Sequence, residues 1–126
     1  MSVVEQSFTT YLVEPGAVVE GSGQGAAVEL GERAGRRLLL TLRVEGIIEQ
    51  EALHVAVWGS ADGTNWGTKP LFWYPERFYR GVTPAVLDLS QRPEIKFLQA
   101  RWTANRWGRG YPLPHFKFSV ALEVAD

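Results

Sequence analysis

The chain contains no cysteine. That single absence removes disulfides, thiolate nucleophiles and every cysteine-ligated zinc or iron–sulfur site. Histidine is nearly as scarce: His54 and His115 are the whole supply, and neither sits in a His-x-His or His-Glu-x-x-His spacing that would gather a metal. On the strand pattern read below, both fall on solvent-side positions. Aspartate is limited to Asp62, Asp88 and Asp126. A Gly-x-Ser-x-Gly elbow is missing, so a hydrolase triad has neither nucleophile nor base. Carboxylates such as Glu76 and Glu94 exist, but no spacing selects them as a glycosidase pair. The expectation is a protein that is not an enzyme, with no catalytic residue, no metal and no cofactor.

Long apolar runs are lacking as well. Leu38-Leu39-Leu40 is typical of the longest, far below the ~20 residues that cross a bilayer, so no membrane partner is expected. The opening Met1-Ser2-Val3-Val4-Glu5-Gln6 has neither the basic start nor the apolar stretch of an export signal. The expected location is therefore the cytoplasm or a particle assembled there. Gly21-Ser22-Gly23-Gln24-Gly25 is glycine-rich, but no Gly-Lys-Ser/Thr and no helical pattern follow it. It reads as a loop and not a phosphate cradle. A net charge of −1 leaves no basic excess for nucleic acid. Residues 1–63 carry four Arg against nine Asp or Glu, and residues 64–126 carry nine Lys or Arg against five Asp or Glu. Such halves attract each other between copies unless folding interleaves them.

What is present is one domain's worth of strand. With 126 residues, 45% hydrophobic and 21% charged, the chain suits a single domain over 1–126. Leu53, Val55 and Val57 alternate with His54, Ala56 and Trp58, the period of two that a pleated strand imposes. Asp62-Gly63 then supplies the positive φ of a turn. Residues 2–13 are β-prone and end at Pro15-Gly16, so 1–16 is an edge strand or a free arm. Short strands are expected at Val18-Val19 and at Val28 to Leu30. Arg37 to Glu45 is expected to be central, with Leu38, Leu40, Leu42 and Val44 facing the core. Gly46 to Ala52 is the one connection where a short helical turn fits. Pro70 and Pro75 confine Leu71 to Tyr74 to a short strand. Ala85 to Leu89 and Ile95 to Trp102 read as strands, and Trp102 to Pro114 as loop. His115 to Val124 alternates most cleanly, with Phe116, Phe118, Val120, Leu122 and Val124 facing inward. About eight strands without an amphipathic helix predict an all-β, antiparallel, jelly-roll-like β-sandwich.

Ser60-Ala61-Asp62-Gly63-Thr64-Asn65-Trp66 resembles the Ser-x-Asp-Gly-x-x-Trp hairpin of discoidin-like domains, the factor V/VIII C-type sandwich. Leu98-Gln99-Ala100-Arg101-Trp102 is similar to a later strand of that family. Similar Ser-x-Asp-Gly hairpins occur in sandwich modules of bacteriophage structural proteins. The chain is short for the discoidin family and lacks its cysteine pair, so the resemblance implies the sandwich architecture alone and no glycan or lipid site.

The remaining signal is aromatic and basic. Five Trp, four Tyr and six Phe occur with ten Arg against three Lys. Arg on Trp gains about 1 kcal/mol of cation–π energy, and Trp, Tyr and Arg dominate protein–protein contact energetics. Two segments concentrate them. Phe72 to Arg80 contributes Trp73, Tyr74, Arg77, Tyr79 and Arg80, and Arg101 to Pro112 contributes Trp102, Arg106, Trp107, Arg109 and Tyr111. These are the candidate partner-binding residues, weighed against the plainer reading in which the rings fill the ends of a small sandwich. The expected partner is a protein, either the chain itself in a homo-oligomer or a larger assembly, engaged through loops and the N-terminal arm. The alternative is a glycan stacked on loop tryptophans.

Overall fold

The computed structural model describes residues 10–15, 18–20, 22–47, 51–75, 80–106 and 115–125. Ten strands occur among them: β1 (Thr10–Val13), β2 (Val18–Glu20), β3 (Gly23–Gln24), β4 (Val28–Glu29), β5 (Arg37–Ile47), β6 (Glu51–Ser60), β7 (Phe72–Trp73), β8 (Gly81–Asp88), β9 (Phe97–Arg106) and β10 (His115–Val124). A single 3₁₀ turn spans Gly31–Arg33. Among the described residues no helix is long and apolar enough to cross a membrane.

The strands form two antiparallel sheets. In the first, β10 carries β1 and β2 on one side and β5 on the other, and β8 lies beyond β5. In the second, β9 carries β3 and β4 on one side and β6 on the other, and β7 lies beyond β6. Register follows the apolar alternation. On β5 and β10 the pairs Leu40 with Leu122, Leu42 with Val120 and Val44 with Phe118 sit opposite one another, and all six side chains are buried. Cross-strand apolar pairs of this kind are what fix a sheet's register. The second sheet contributes Leu53, Val55, Val57, Leu98 and Ala100 to the same core.

Four contacts among the described residues tie the sheets together. The Tyr74 hydroxyl crosses the interior and donates to the Leu40 carbonyl at 2.7 Å. Trp102 meets Phe118 edge to face, centroids 5.3 Å apart. At one margin Gly25 abuts β1 so closely that a Cβ there would lie 2.6 Å from the Leu12 carbonyl oxygen, so only glycine fits. Beside it the Arg33 guanidinium donates to Thr10 Oγ1 at 2.8 Å and to the Glu29 carbonyl at 3.1 Å.

Several sequence expectations need correction. Gly46–Ala52 is no helical turn where it is described, because β5 runs on to Ile47 against β10 and β6 already begins at Glu51 against β9. Ladder bonding there satisfies the backbone better than an isolated turn would. β8 starts at Gly81 and not at Ala85, and contains Pro84. Proline survives because β8 is the outermost strand of its sheet and uses only its β5 side. Residues 102–106 continue β9 and are not loop, and part of the Gly21–Gly25 loop pairs with β9 as β3. The described residues form ten strands against the expected eight or so, because short pieces accompany each edge. Of the expected arm, 10–13 is β1 on β10, and residues 1–9 and 16 lie outside the described residues.

Candidate functional site

Alternation that buries one face of β6 and β9 must turn the intervening residues outward. That outward set is His54, Ala56 and Trp58 from β6 with Gln99, Arg101 and Thr103 from β9, paired as His54 with Thr103, Ala56 with Arg101 and Trp58 with Gln99. On its other side Ala56 pairs with Trp73 of β7. Only small side chains fit between two bulky neighbours, and the outcome is a shallow hollow of about 360 Å³ with Trp73 and Arg101 on its walls. Trp73 is 60% exposed.

Arg101 is held in place. Its guanidinium carbon sits 4.4 Å from the Trp58 ring centroid and 5.8 Å from that of Trp66. Its Nε donates to Gln99 Oε1 at 2.9 Å, and Gln99 Nε2 donates in turn to the Gly25 carbonyl at 2.9 Å. Cation, rings and amide therefore form one immobilised cluster on the outside of the second sheet.

The turn after β6 is equally determined. Gly63 has φ +79°. Ser60 Oγ donates to Asp62 Oδ1 at 3.0 Å and accepts from Gly63 N at 2.9 Å. Asp62 Oδ1 also accepts from Thr64 N and Asn65 N, both at 2.8 Å. Asn65 Oδ1 closes the series by accepting from Gly67 N at 3.1 Å. The backbone N–H of Asn65, then that of Thr64 and the Ser60 hydroxyl, hold the Asp62 carboxyl below its ordinary value. A second hollow, about 500 Å³, lies between this turn and the turn containing Arg92 and Glu94, and it shares Pro70 with the first. Arg92 Nε donates to Glu94 Oε2 at 2.7 Å, which holds the Glu94 carboxyl below its usual range.

On the opposite side, the outer face of the first sheet mixes charges. Arg43, Glu45 and Glu123 line one shallow depression. Towards the β8 edge the face becomes apolar: Val82 is 51% exposed and Val86 61%, with Val86 paired to Leu39 and Pro84 to Thr41.

The sequence candidates scatter. Trp73 and Arg80 are exposed. Tyr74 is buried, 1% exposed, and its hydroxyl is spent on Leu40, so its ring offers no contact surface. Burial pushes its phenol well above the ordinary value. Trp102 is half-buried and faces Phe118, and its Nε1 has no hydrogen-bond partner among the described residues. Arg106 belongs to β9. Arg77, Tyr79, Trp107, Arg109 and Tyr111 lie outside the described residues. Sequence reasoning missed Trp58, Trp66 and Arg101 as a cluster, and Val82 with Val86 as a patch. Trp58 was readable from the His54-Ala56-Trp58 alternation, and Arg101 from its offset to Leu98 and Ala100. Their meeting depends on the β6–β9 register, which no local pattern encodes.

Among the described residues no three His, Asp or Glu side chains are grouped to hold a metal ion. No family model and no curated protein matches this chain.

Proposed function

We propose that this protein is a non-catalytic structural module that assembles with further copies of itself through the outer faces of its two sheets. The observation that carries the reading is the position of the three large apolar side chains that stand exposed among the described residues. Trp73 is on the outside of one sheet, and Val82 and Val86 are on the outside of the other. We take these exposed apolar side chains as the contact points. Trp73 stands beside an arginine already stacked on tryptophan, the residue types that dominate interface energetics. Because the two patches are different and lie on opposite sheets, a contact between them is heterologous and repeats from copy to copy, giving rings or filaments. Pro84, exposed on the β8 edge, disfavours strand addition there, so contact is made through faces and not through that edge.

The finer architecture supports the same reading. Taking β1 with β2 and β3 with β4 as one interrupted strand each, the eight resulting strands run 1-8-3-6 in one sheet and 2-7-4-5 in the other. First pairs with eighth, second with seventh, third with sixth and fourth with fifth, as in a long hairpin ribbon wrapped on itself. This pairing supports a jelly-roll reading, with the Asp62-Gly63 turn near the ribbon's tip. Jelly rolls recur in assembling coat domains and in lectin domains, an analogy at the level of fold alone.

Light scattering over a concentration series tests the proposal. The mass is expected to rise with concentration in the parent protein and to stay at one chain in Trp73→Ala, with equal thermal stability for both. A parent mass that stays at one chain at all concentrations refutes it.

A further inference from the structure

The hollow beside the Asp62-Gly63 turn shares Pro70 with the hollow walled by Trp73, and its other lining residues are different. Asn65, Trp66, Thr68 and Lys69 line it from one side, Arg92 and Glu94 from the other. At about 500 Å³ it falls within the size range of small-ligand sites.

The backbone of its walls is held by hydrogen bonds on both sides. The Ser60, Asp62 and Asn65 hydrogen bonds set the turn. The Leu71 N–H donates to the Val57 carbonyl at 2.8 Å, and on the far wall Ile95 N–H donates to the Arg92 carbonyl at 3.2 Å and Lys96 N–H to the Ser60 carbonyl at 2.9 Å. Preorganisation of this kind lowers the ordering cost of binding.

The polar inventory narrows the ligand. Asp62 is consumed within the turn. Asn65 uses its side-chain oxygen internally, which leaves its NH₂ for a ligand. The Thr68 hydroxyl and the Lys69 ammonium, both on exposed residues, have no hydrogen-bond or ion-pair partner among the described residues. Arg92 and Glu94 neutralise each other, so Lys69 is the uncompensated charge of the hollow. Trp66, half-buried, adds an aromatic surface. A pyranose ring bearing hydroxyls and one carboxylate satisfies all of these together: its C–H face on Trp66, hydroxyls on Asn65 and Thr68, and the carboxylate on Lys69.

We propose that this hollow is a binding site for an acidic saccharide of the hexuronate class, held by Trp66, Asn65, Thr68 and Lys69. Calorimetric titration of the full chain with galacturonate oligosaccharides, and with neutral galactose oligosaccharides of the same length, tests it. The parent protein is expected to bind the acidic series about tenfold more tightly than the neutral one. Lys69→Gln, at an exposed position, is expected to erase that preference while leaving neutral-sugar affinity unchanged. Trp66→Ala weakens both series by about tenfold, with circular dichroism and melting temperature reporting that the fold is retained. Trp73→Ala leaves both titrations unchanged, so loss of assembly and loss of this site are read separately. Absence of heat with every oligosaccharide at millimolar concentration overturns the assignment. So does equal affinity for acidic and neutral sugars, or a preference that survives Lys69→Gln.

Discussion

The inner and outer faces of β6 and β9 are made by the same twenty residues, ten on each strand, yet they are held by different physics. Inside, Leu53, Val55, Val57, Leu98 and Ala100 are completely buried, and burial alone accounts for their identity. Outside, Trp58 and Arg101 sit between them along the strands, tied through Gln99 to Gly25, and Trp73 stands exposed on β7 beside them. The core does not require a tryptophan at position 73. The inner face of this strand pair is explained by packing and the outer face is not, which is the premise of the proposed contact.

Substitutions on the two faces should therefore separate stability from association. The largest effect is expected inside. Leu53→Ala removes a completely buried side chain and should cost about 2–5 kcal/mol in urea unfolding, in the range of buried Leu-to-Ala changes. Among molecules still folded, association should be unaffected. Tyr74→Phe deletes the hydroxyl bond to Leu40 and should cost about 0.5–1.5 kcal/mol. Tyr74 carries a matching signature in alkali. Its folded-state value is raised by burial, so its stabilising contribution is complete below the ordinary phenol value near pH ~10 and is lost as pH rises beyond it. Unfolding curves between neutral pH and pH ~11 should show that loss in the parent and less of it in Tyr74→Phe.

Smaller effects belong to the turn and the outer face. Asp62 has a depressed folded-state value. Its contribution is present above the ordinary carboxylate value near pH ~4 and disappears as pH falls through the depressed one. Melting temperatures in acid should therefore fall less steeply for Asp62→Asn than for the parent, from a lower starting point at neutral pH. Trp73→Ala should change stability least, within about 0.5 kcal/mol as for exposed positions generally, while abolishing the concentration-dependent mass. A large stability loss in Trp73→Ala would erase the distinction between the faces.

How much of this was readable in the sequence depended on the range of the interaction. The bounds of β10 are legible residue for residue, because Phe118, Val120 and Leu122 alternate with Lys117, Ser119 and Ala121 without a break. The inward leucines of β5 were equally plain. The two-sheet, all-β class followed from that alternation and from the absence of any helical period. The strand before Ala85 is not legible locally, because Pro84 is tolerated only on an outermost strand and only the pairing order reveals that β8 is one. Tyr74 reads as a contact residue from sequence because it stands in a run of aromatics. Phe72 packs against the core while Trp73 is exposed and Tyr74 is buried, a two-residue alternation that flanking prolines obscure. The Trp58, Trp66 and Arg101 cluster joins β6, the following turn and β9, so it exists only once register is set.

A mixing experiment tests the heterologous contact most directly. Trp73→Ala keeps the β8 patch and lacks the other, and Val86→Lys keeps Trp73 and lacks the β8 patch. Each variant alone should have the mass of one chain. Their equimolar mixture should give a two-chain species and nothing larger, because one intact contact remains and neither partner can extend it. Two variants that remain single chains when mixed, or either one assembling fully alone, would contradict assembly through these two faces.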